Sequence, residues 1–273
     1  MKLSIRGVGF VGAGLSDWLE ARAALSDGQP PGHVPLEELG RALKADRLPR
    51  TERRRAGKST RLAMTACWQA VEDAGVDPAT LPMIFASSTG DTEVLTHSCA
   101  ALAEPERAIS PIRFHNSVHN APSGYWSIAV GSREPATAIA AHGETAAVGL
   151  LEAAMQAVLE HRPVLYVVHD LPFPEPLCQV EPIPEAMAIA LVLAPDGSSS
   201  DERLELVHTS NCEYCEKPMD EAGWEHLRAS VPAARLLPLL DAMARGESRS
   251  LFLGLDTAAG LALTYEPGES THA

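Results

Sequence analysis

The sequence predicts an α/β fold built on a mixed β-sheet with helices on both faces. Short apolar stretches at 82–88, 136–141 and 163–170 alternate with longer stretches in which apolar residues recur at helical spacing. Because the stretch at 163–170 is apolar over most of its length, it is typical of a strand buried on both faces. The apolar stretch at 185–195 follows a proline-rich connection without a helix, so we expect it to join the sheet as an antiparallel strand.

The elements before residue 92 begin with a strand at 3–12 that ends in glycines. A helix at 15–28 follows, with glycine as its stop signal. Proline, glycine and arginine dominate 27–57 without a repeating period, which predicts a long surface segment. A helix at 58–75 then carries small apolar residues at helical spacing and ends at Gly75.

The elements after residue 92 continue the alternation of helices and strands. The sequence predicts helices at 92–105, 116–131, 143–162, 220–230 and 233–246, and strands at 204–208, 248–256 and 260–267. With 273 residues the chain is long enough for one large or two small domains, and it contains no internal repeat.

The composition excludes several classes of function. The chain has 22 lysines and arginines against 36 aspartates and glutamates, and the net charge of −14 disfavours binding to nucleic acid or to an anionic membrane. No apolar run approaches the roughly 20 residues of a membrane span. The early glycines do not fit a secretory signal, so we expect a cytoplasmic location. Five scattered cysteines are too few for a disulfide scaffold and indicate reduced thiols.

Two glycine motifs resemble nucleotide-binding loops. Gly7, Gly9 and Gly12 match the GxGxxG pattern, which lets a backbone approach a dinucleotide pyrophosphate. The second parallel strand ending in an acid is missing, so a tight first turn is the alternative to a dinucleotide-binding module. The string GKST at 57–60 resembles the end of a P-loop, but Glu52 stands where the first glycine belongs, which excludes that site.

Potential metal ligands do not form a complete set in the sequence. His115 and His119 have the spacing that places two imidazoles on one helix face, and Cys212 and Cys215 form a single CxxC. No HExxH motif or second CxxC supplies the remaining ligands, so we expect neither a metal nor another cofactor. A GxSxG nucleophile motif is absent as well.

A concentration of positive charge stands out in this acidic chain. The segment 47–61 carries seven lysines and arginines and only one acid, Glu52. Such a surface suits an acidic carrier protein or a phosphopantetheine phosphate, and we expect Arg50, Arg53, Arg54 and Arg55 to make the contact. The alternative is an ordinary solvated loop leading into a helix.

Three stretches in succession carry a family resemblance: SVHNAPSGYWSIAVG at 117–131, AHGETAAVGLLEAA at 141–154 and PVLYVVHD at 163–170. Together with the opening RGVGFVGAG and the turn IFASSTGD, they resemble the N-terminal half of a β-ketoacyl synthase of the thiolase superfamily. The resemblance is strongest to the short chain-length-factor subunits of bacterial aryl polyene biosynthesis. It implies a thiolase-like fold with a ketosynthase N-terminal-like domain at 1–200 and a truncated extension at 201–273 packed on it.

The resemblance also implies a catalytically silent subunit. In the family a cysteine stands eight residues before the glycine that corresponds to Gly149, and here that position is Ala141, flanked by Ala140 and His142. A methyl group cannot form the acyl thioester that holds the growing chain. The family's two catalytic histidines come from the second half of the fold, and the tail after residue 200 shows neither motif.

A silent subunit of this family implies a heterodimer with an active ketosynthase that extends chains bound to an acyl carrier protein. The resemblance assigns a tunnel or partner face to Phe114, Asn116, His119, Tyr125, Ala141 and His142, and it places the strand 136–140 at the interface. Ordinary core packing is the alternative for Phe114, Tyr125 and Trp126.

Two other functions remain open at this stage. The first is a self-sufficient acyl-transfer enzyme with an unrecognised nucleophile, for which Cys99 and Ser88 are the candidates. The second is the dinucleotide-binding module. In the preferred interpretation the chain limits product length by closing the acyl tunnel, in aryl polyene or related polyketide or fatty-acid-type biosynthesis.

Overall fold

Helices cover both faces of an eight-stranded mixed sheet in the computed structural model, which describes residues 1–35, 38, 43, 45–197, 202–210 and 216–268. The strands are β1 (Lys2–Gly12), β2 (Met83–Ala86), β3 (Ala136–Ile139), β4 (Val164–Asp170), β5 (Met187–Pro195), β6 (Arg203–Thr209), β7 (Arg249–Gly254) and β8 (Gly260–Glu266). They lie in the order β3-β2-β4-β5-β1-β6-β8-β7. β2 is parallel to β3 and β4, and β5 is antiparallel to β4, as predicted.

The helices of the described residues are α1 (Trp18–Ser26), α2 (Arg50–Arg55), α3 (Lys58–Ala74), α4 (Thr92–Ala103), α5 (Pro111–Asn116), α6 (Ala121–Val130), α7 (Thr145–Glu160), α8 (Ala222–Ser230) and α9 (Leu237–Arg245). The single helix predicted at 116–131 is wrong, because α5 ends at Asn116 and α6 begins at Ala121. Each of these helices has a proline in its first turn, where the missing N–H costs nothing. The surface segment predicted at 27–57 contains α2. None of the described helices is long and apolar enough to cross a bilayer.

Glycines in β1 let α3 pack directly on the strand. A Cβ on Gly7 would lie 2.2 Å from the carbonyl oxygen of Ala70, and one on Gly9 would lie 1.9 Å from that of Ala66. β6 pairs with β1 only over Lys2–Ser4, so the later N–H groups of β1 need other acceptors. Side chains of α3 supply them: Asp73 accepts from Val8 and Gln69 accepts from Phe10, both at 2.9 Å.

Two apolar layers hold the helices to the sheet. α1, α7, α8 and α9 pack on one face around Trp224 and Tyr166, and α3 and α6 pack on the other around Trp126 and Met83. Every residue of β4 is buried, as its apolar sequence predicts. β6 and β8 continue the sheet, and their inward residues Leu204 and Leu263 join the same layer as α7.

The carboxyl ends of the parallel strands meet at one edge of the sheet, where ligand-binding loops of α/β proteins gather. β2 leads into the turn 87–91, β3 leads into 140–144, and β4 ends at His169 and Asp170. The candidate site lies at this edge.

Candidate functional site

A strand–turn–helix elbow lies at the centre of the site. β3 ends at Ile139, a short 3-10 turn spans His142–Glu144, and α7 begins at Thr145. His142 has φ +50, a left-handed conformation that residues other than glycine rarely adopt, and its side chain is exposed. His142 is therefore the residue at the tip of the elbow, directly after Ala141.

The buried Thr145 hydroxyl holds this elbow in shape. The Ala141 N–H donates to Thr145 Oγ1 at 2.9 Å, and that hydroxyl donates to the His142 carbonyl oxygen at 2.7 Å. The Glu144 N–H donates to the Ala141 carbonyl oxygen at 3.0 Å. These bonds fix the backbone around the tip without using the His142 side chain.

Among the described residues, no thiol lies in the elbow. Cys67 is buried inside α3, Cys99 is exposed on α4, and Cys178 lies in the 3-10 turn Leu177–Gln179. Burial raises the pKa of the Cys67 thiol, which keeps it protonated and unreactive. The two remaining cysteines, Cys212 and Cys215, lie outside the described residues.

The buried carboxylate of Asp170 forms hydrogen bonds with two segments close to the elbow. Asp170 Oδ1 accepts from the N–H and hydroxyl of Ser88 at 2.8 and 2.7 Å, and Asp170 Oδ2 accepts from the Ala233 N–H at 2.9 Å. Burial raises the pKa of this carboxyl to about 6, although the hydrogen bonds from Ser88 lower it. Asp170 thus joins β4 to the turn after β2 and to the 3-10 turn Pro232–Leu236, which contacts the elbow.

The neighbouring imidazole of His169 is equally buried. Its Nε2 lies 3.1 Å from Ser59 Oγ, on the opposite side of the chain from Asp170. Burial lowers the pKa of His169 to about 3, with a smaller contribution from His119, so the ring is neutral. The Ser88 hydroxyl donates to Asp170 at 2.7 Å, so it is not part of a serine–histidine pair.

Three of the predicted tunnel residues form hydrogen bonds near the elbow. Asn116 Nδ2 donates to the Arg55 carbonyl oxygen at 2.6 Å, and Tyr125 OH donates to Asn116 Oδ1 at 3.0 Å. His119 Nε2 lies 3.1 Å from the carbonyl oxygen of Ile139, the last residue of β3. Tyr125 and Trp126 are buried, whereas core packing is wrong for Phe114, which is 63% exposed.

The space between these residues is small. A cleft lined by Ser59, Asp91, Asn116 and His119, among others, encloses about 10 Å³, which is the room that one water molecule needs. An acyl chain does not fit there.

The predicted basic surface lies on α2 beside this cleft. Arg53 approaches Asp46 at 3.4 Å and Arg55 approaches Glu52 at 3.8 Å. Arg50 and Arg54 form no ion pair with the described residues, and their spacing places them on one face of the helix. Two guanidinium groups are thus available to an acidic partner.

Exposed apolar side chains lie on α4, α5 and α6 and between α5 and α6, and α6 contacts β3. We call them the apolar surface; they are Leu95 and Leu102 on α4, Ile112 and Phe114 on α5, Val118, and Ile128 on α6. β3 is the edge strand next to them. The carbonyls of Pro135 and Ile139 accept bonds from β2, so the backbone groups of Ala136 and Ala138 point away from the sheet. An open edge beside apolar side chains is typical of a protein interface.

A comparison of the sequence with protein families decides the family. The profile described as the N-terminal domain of β-ketoacyl synthase matches residues 18–244. The chain belongs to the β-ketoacyl synthase family. The resemblance seen in the three sequence stretches is therefore confirmed.

Solved structures agree on the ketosynthase fold. A chain in the complex of the ketosynthase ApeO with its chain length factor ApeC from Xenorhabdus doucetiae is 21% identical, with a TM-score of 0.70 over 97% of this chain and 99% of that chain. A chain of the ishigamide ketosynthase/chain length factor is 13% identical, with a TM-score of 0.70 over 98% of this chain and 100% of that chain.

A third structure adds a carrier protein to the comparison. A chain from AntDE:AntF, a type II polyketide synthase acyl-carrier protein in complex with its ketosynthase, is 11% identical, with a TM-score of 0.70 over 97% of this chain and 99% of that chain. No curated protein matches the sequence. Because all three matched chains are covered almost completely, the likeness in fold extends over nearly the whole of each chain.

The family fold explains the GxGxxG pattern without a nucleotide. Gly7 and Gly9 lie inside β1, where α3 packs on them, and Gly12 is the last residue of the strand, where a turn to Leu15 begins. The packing of α3 therefore accounts for two of the three glycines. The cavity of about 500 Å³ beside Gly7 is lined by carboxylates of Asp17, Asp73 and Glu202 and by the guanidinium groups of Arg6 and Arg22.

The GKST string begins a helix as a P-loop does, but a carboxylate fills the space. Gly57 caps α3, and a Cβ there would come within 2.3 Å of Asp91 Oδ2. Burial raises the pKa of the Asp91 carboxyl, whose Oδ1 accepts from the Val94 N–H at 3.0 Å. The ketosynthase-like chain thus supplies its own acid where a phosphate would bind, which agrees with the exclusion of a P-loop.

The histidine pair does not form a metal site. The placement of His115 and His119 on one helix face is wrong, because α5 ends between them at Asn116. His115 is exposed beside the Tyr125 ring, while His119 contacts β3. Within the described residues, no group of three potential ligands is suitable for a metal ion.

Proposed function

We propose that this chain is the non-catalytic, chain-length-factor-type subunit of a heterodimer with an active ketosynthase. The observation that carries the proposal is the elbow: its strand, turn and helix are all present, but Ala141 and His142 replace the thiol. A ketosynthase needs a thiolate to hold the acyl chain as a thioester while the malonyl carbanion forms. The partner has to supply that thiolate.

The apolar surface and the open edge of β3 form the proposed partner face. Exposed residues such as Phe114 and Ile128 have no function in the isolated chain, and a second protein would remove them from water. The outward backbone groups of Ala136 and Ala138 offer hydrogen bonds to a strand of the partner. One wall of a channel shared by both subunits is then formed by tunnel residues beside this face, among them Asn116, His119 and Tyr125.

We expect Ala138→Pro to weaken binding of the ketosynthase by about 5-fold or more, because proline removes the outward N–H, whose hydrogen bond across the interface is worth about 1 kcal/mol, and its ring obstructs a pairing strand. Proline at this position removes no bond of the sheet, since the Ala138 N–H points away from β2. Ala138→Ser is the matched control, and both variants should unfold at nearly the same urea concentration. Equal partner affinity for both variants would contradict a β3 interface.

Carrier-protein docking is proposed for Arg50, Arg53, Arg54 and Arg55. The unpaired guanidinium groups of Arg50 and Arg54 support this role, because carrier proteins with acidic helices would complement them. Arg54→Glu should raise the KM of the heterodimer for acyl carrier protein about 3- to 10-fold and reduce its sensitivity to salt. Arg133→Glu changes the same charge at another exposed position and serves as the control. An identical KM in both variants would place the carrier elsewhere.

The proposed product class is an aryl polyene or a related polyketide or fatty-acid-type chain, made in the cytoplasm. The subunit limits chain length by closing the far end of the shared channel. The experiment that tests the proposal is co-expression with an active ketosynthase, followed by gel filtration and product analysis. A stable one-to-one complex that extends malonyl units is expected, and the absence of any complex would overturn the proposal.

A further inference from the structure

We infer that His142 is a partner contact: its imidazole, at the tip of the elbow, forms a hydrogen bond with a polar group on the ketosynthase subunit. The inference rests on the proposed function, because it assigns a residue to the interface of that heterodimer. It concerns the side chain next to Ala141, and not the loss of the nucleophile itself.

The backbone gives the first argument. His142 has φ +50, a conformation that glycine adopts more readily than any other residue. A glycine follows at position 143, where a Cβ would meet no atom within 4 Å and where glycine is not required. The sequence therefore places a side chain at the strained position and glycine at the relaxed one, the opposite of what the backbone alone favours.

The side chain gives the second argument. The imidazole is exposed and forms no hydrogen bond or ion pair with the described residues, and the elbow is already fixed by the Thr145 hydroxyl. Because the imidazole takes no part in holding the elbow, it is available to a polar group on the ketosynthase subunit.

The position of the elbow gives the third argument. His119 Nε2 lies 3.1 Å from the Ile139 carbonyl oxygen, which places the exposed Val118 next to the end of β3. His142 follows three residues after Ile139, so it lies beside both the open edge and the apolar surface. A partner strand aligned with β3 would cover it. An imidazole, whose two ring nitrogens can each form a hydrogen bond, suits the polar rim of such an interface.

The test compares three substitutions at His142 in the full chain. His142→Ala and His142→Gly should each weaken affinity for the co-expressed ketosynthase about 3- to 10-fold, as expected for one lost hydrogen bond. His142→Gly should at the same time raise the urea midpoint of the isolated chain, because glycine relieves the strained backbone. His142→Asn should keep most of the affinity, since asparagine tolerates φ > 0 and hydrogen-bonds.

His161 supplies the matched control. It is also an exposed histidine with positive φ, 53, but it caps the C-terminal end of α7. His161→Gly should stabilise the isolated chain without changing partner affinity. If His142→Ala and His142→Gly bind the ketosynthase as tightly as the unmodified chain, the inference is overturned while the proposed function stands. If the unmodified chain forms no complex, both are overturned.

Discussion

Gly9→Ala should lower the free energy of unfolding by about 3 kcal/mol or more, since overpacking against an immobile backbone exceeds the usual cost of about 1–3 kcal/mol. The new methyl carbon would lie 1.9 Å from the carbonyl oxygen and 2.8 Å from the carbonyl carbon of Ala66. α3 would have to move away from β1, and the bonds from Val8 and Phe10 to its side chains would lengthen. Urea unfolding followed by circular dichroism measures the loss.

Gly124→Ala is the control for this substitution. Gly124 lies in α6, and a Cβ there meets nothing within 4 Å. We expect that variant to gain about 0.5–1 kcal/mol, the ordinary advantage of alanine in a helix. Unchanged stability in Gly9→Ala would contradict the close packing of α3 on β1 and would reopen the nucleotide interpretation of the glycines.

Asp170→Asn should lower the free energy of unfolding more at pH 4 than at pH 6. The difference between the two pH values should be about 2–3 kcal/mol, since each pKa unit corresponds to about 1.4 kcal/mol. The pKa of Asp170 is about 6 in the folded chain against an ordinary value of 3.8. The folded state therefore binds the proton first, and the unmodified carboxyl contributes stability at pH 4 that is lost as the pH rises through 6. Asparagine cannot gain this contribution.

His169→Gln should show the opposite trend. The pKa of His169 is about 3 in the folded chain against an ordinary value of 6.5, so the unfolded state binds the proton first. The neutral ring contributes stability above pH 6.5 that is lost as the pH falls, and the variant is therefore most destabilised near pH 7. Urea titrations of both variants at pH 4, 5, 6 and 7 measure these trends. Parallel pH profiles for the two variants would contradict the burial of both groups.

Strands with continuous apolar sequence were predictable, because burial on both faces leaves a signal in composition. β4 and β5 lie where their apolar residues place them, and β5 is antiparallel as its proline-rich connection indicates. The prediction that Ala141 stands where the family has its cysteine rests on the family resemblance alone. It uses only the order of the motifs and the distance to Gly149.

The elements that sequence reasoning missed depend on distant contacts. α2 is a short, highly charged helix whose last carbonyl is held by Asn116, 61 residues later in the chain. Asp170 binds the Ala233 N–H across 63 residues, and no local pattern reports such a bond. The sequence does show two polar residues, His169 and Asp170, at the end of an apolar strand, and this pattern could have identified them as candidate site residues. The prolines at 111 and 122 were the available signal for the break between α5 and α6.

Acylation of the purified heterodimer tests the central claim most directly. The complex is incubated with an acyl-thioester probe, and the intact mass of each subunit is measured under conditions that preserve thioesters. We predict that the mass of one acyl group is added to the ketosynthase partner, while this chain stays unmodified both in the complex and alone. An acyl thioester on this chain, at Cys99 or any other of its cysteines, would contradict the account.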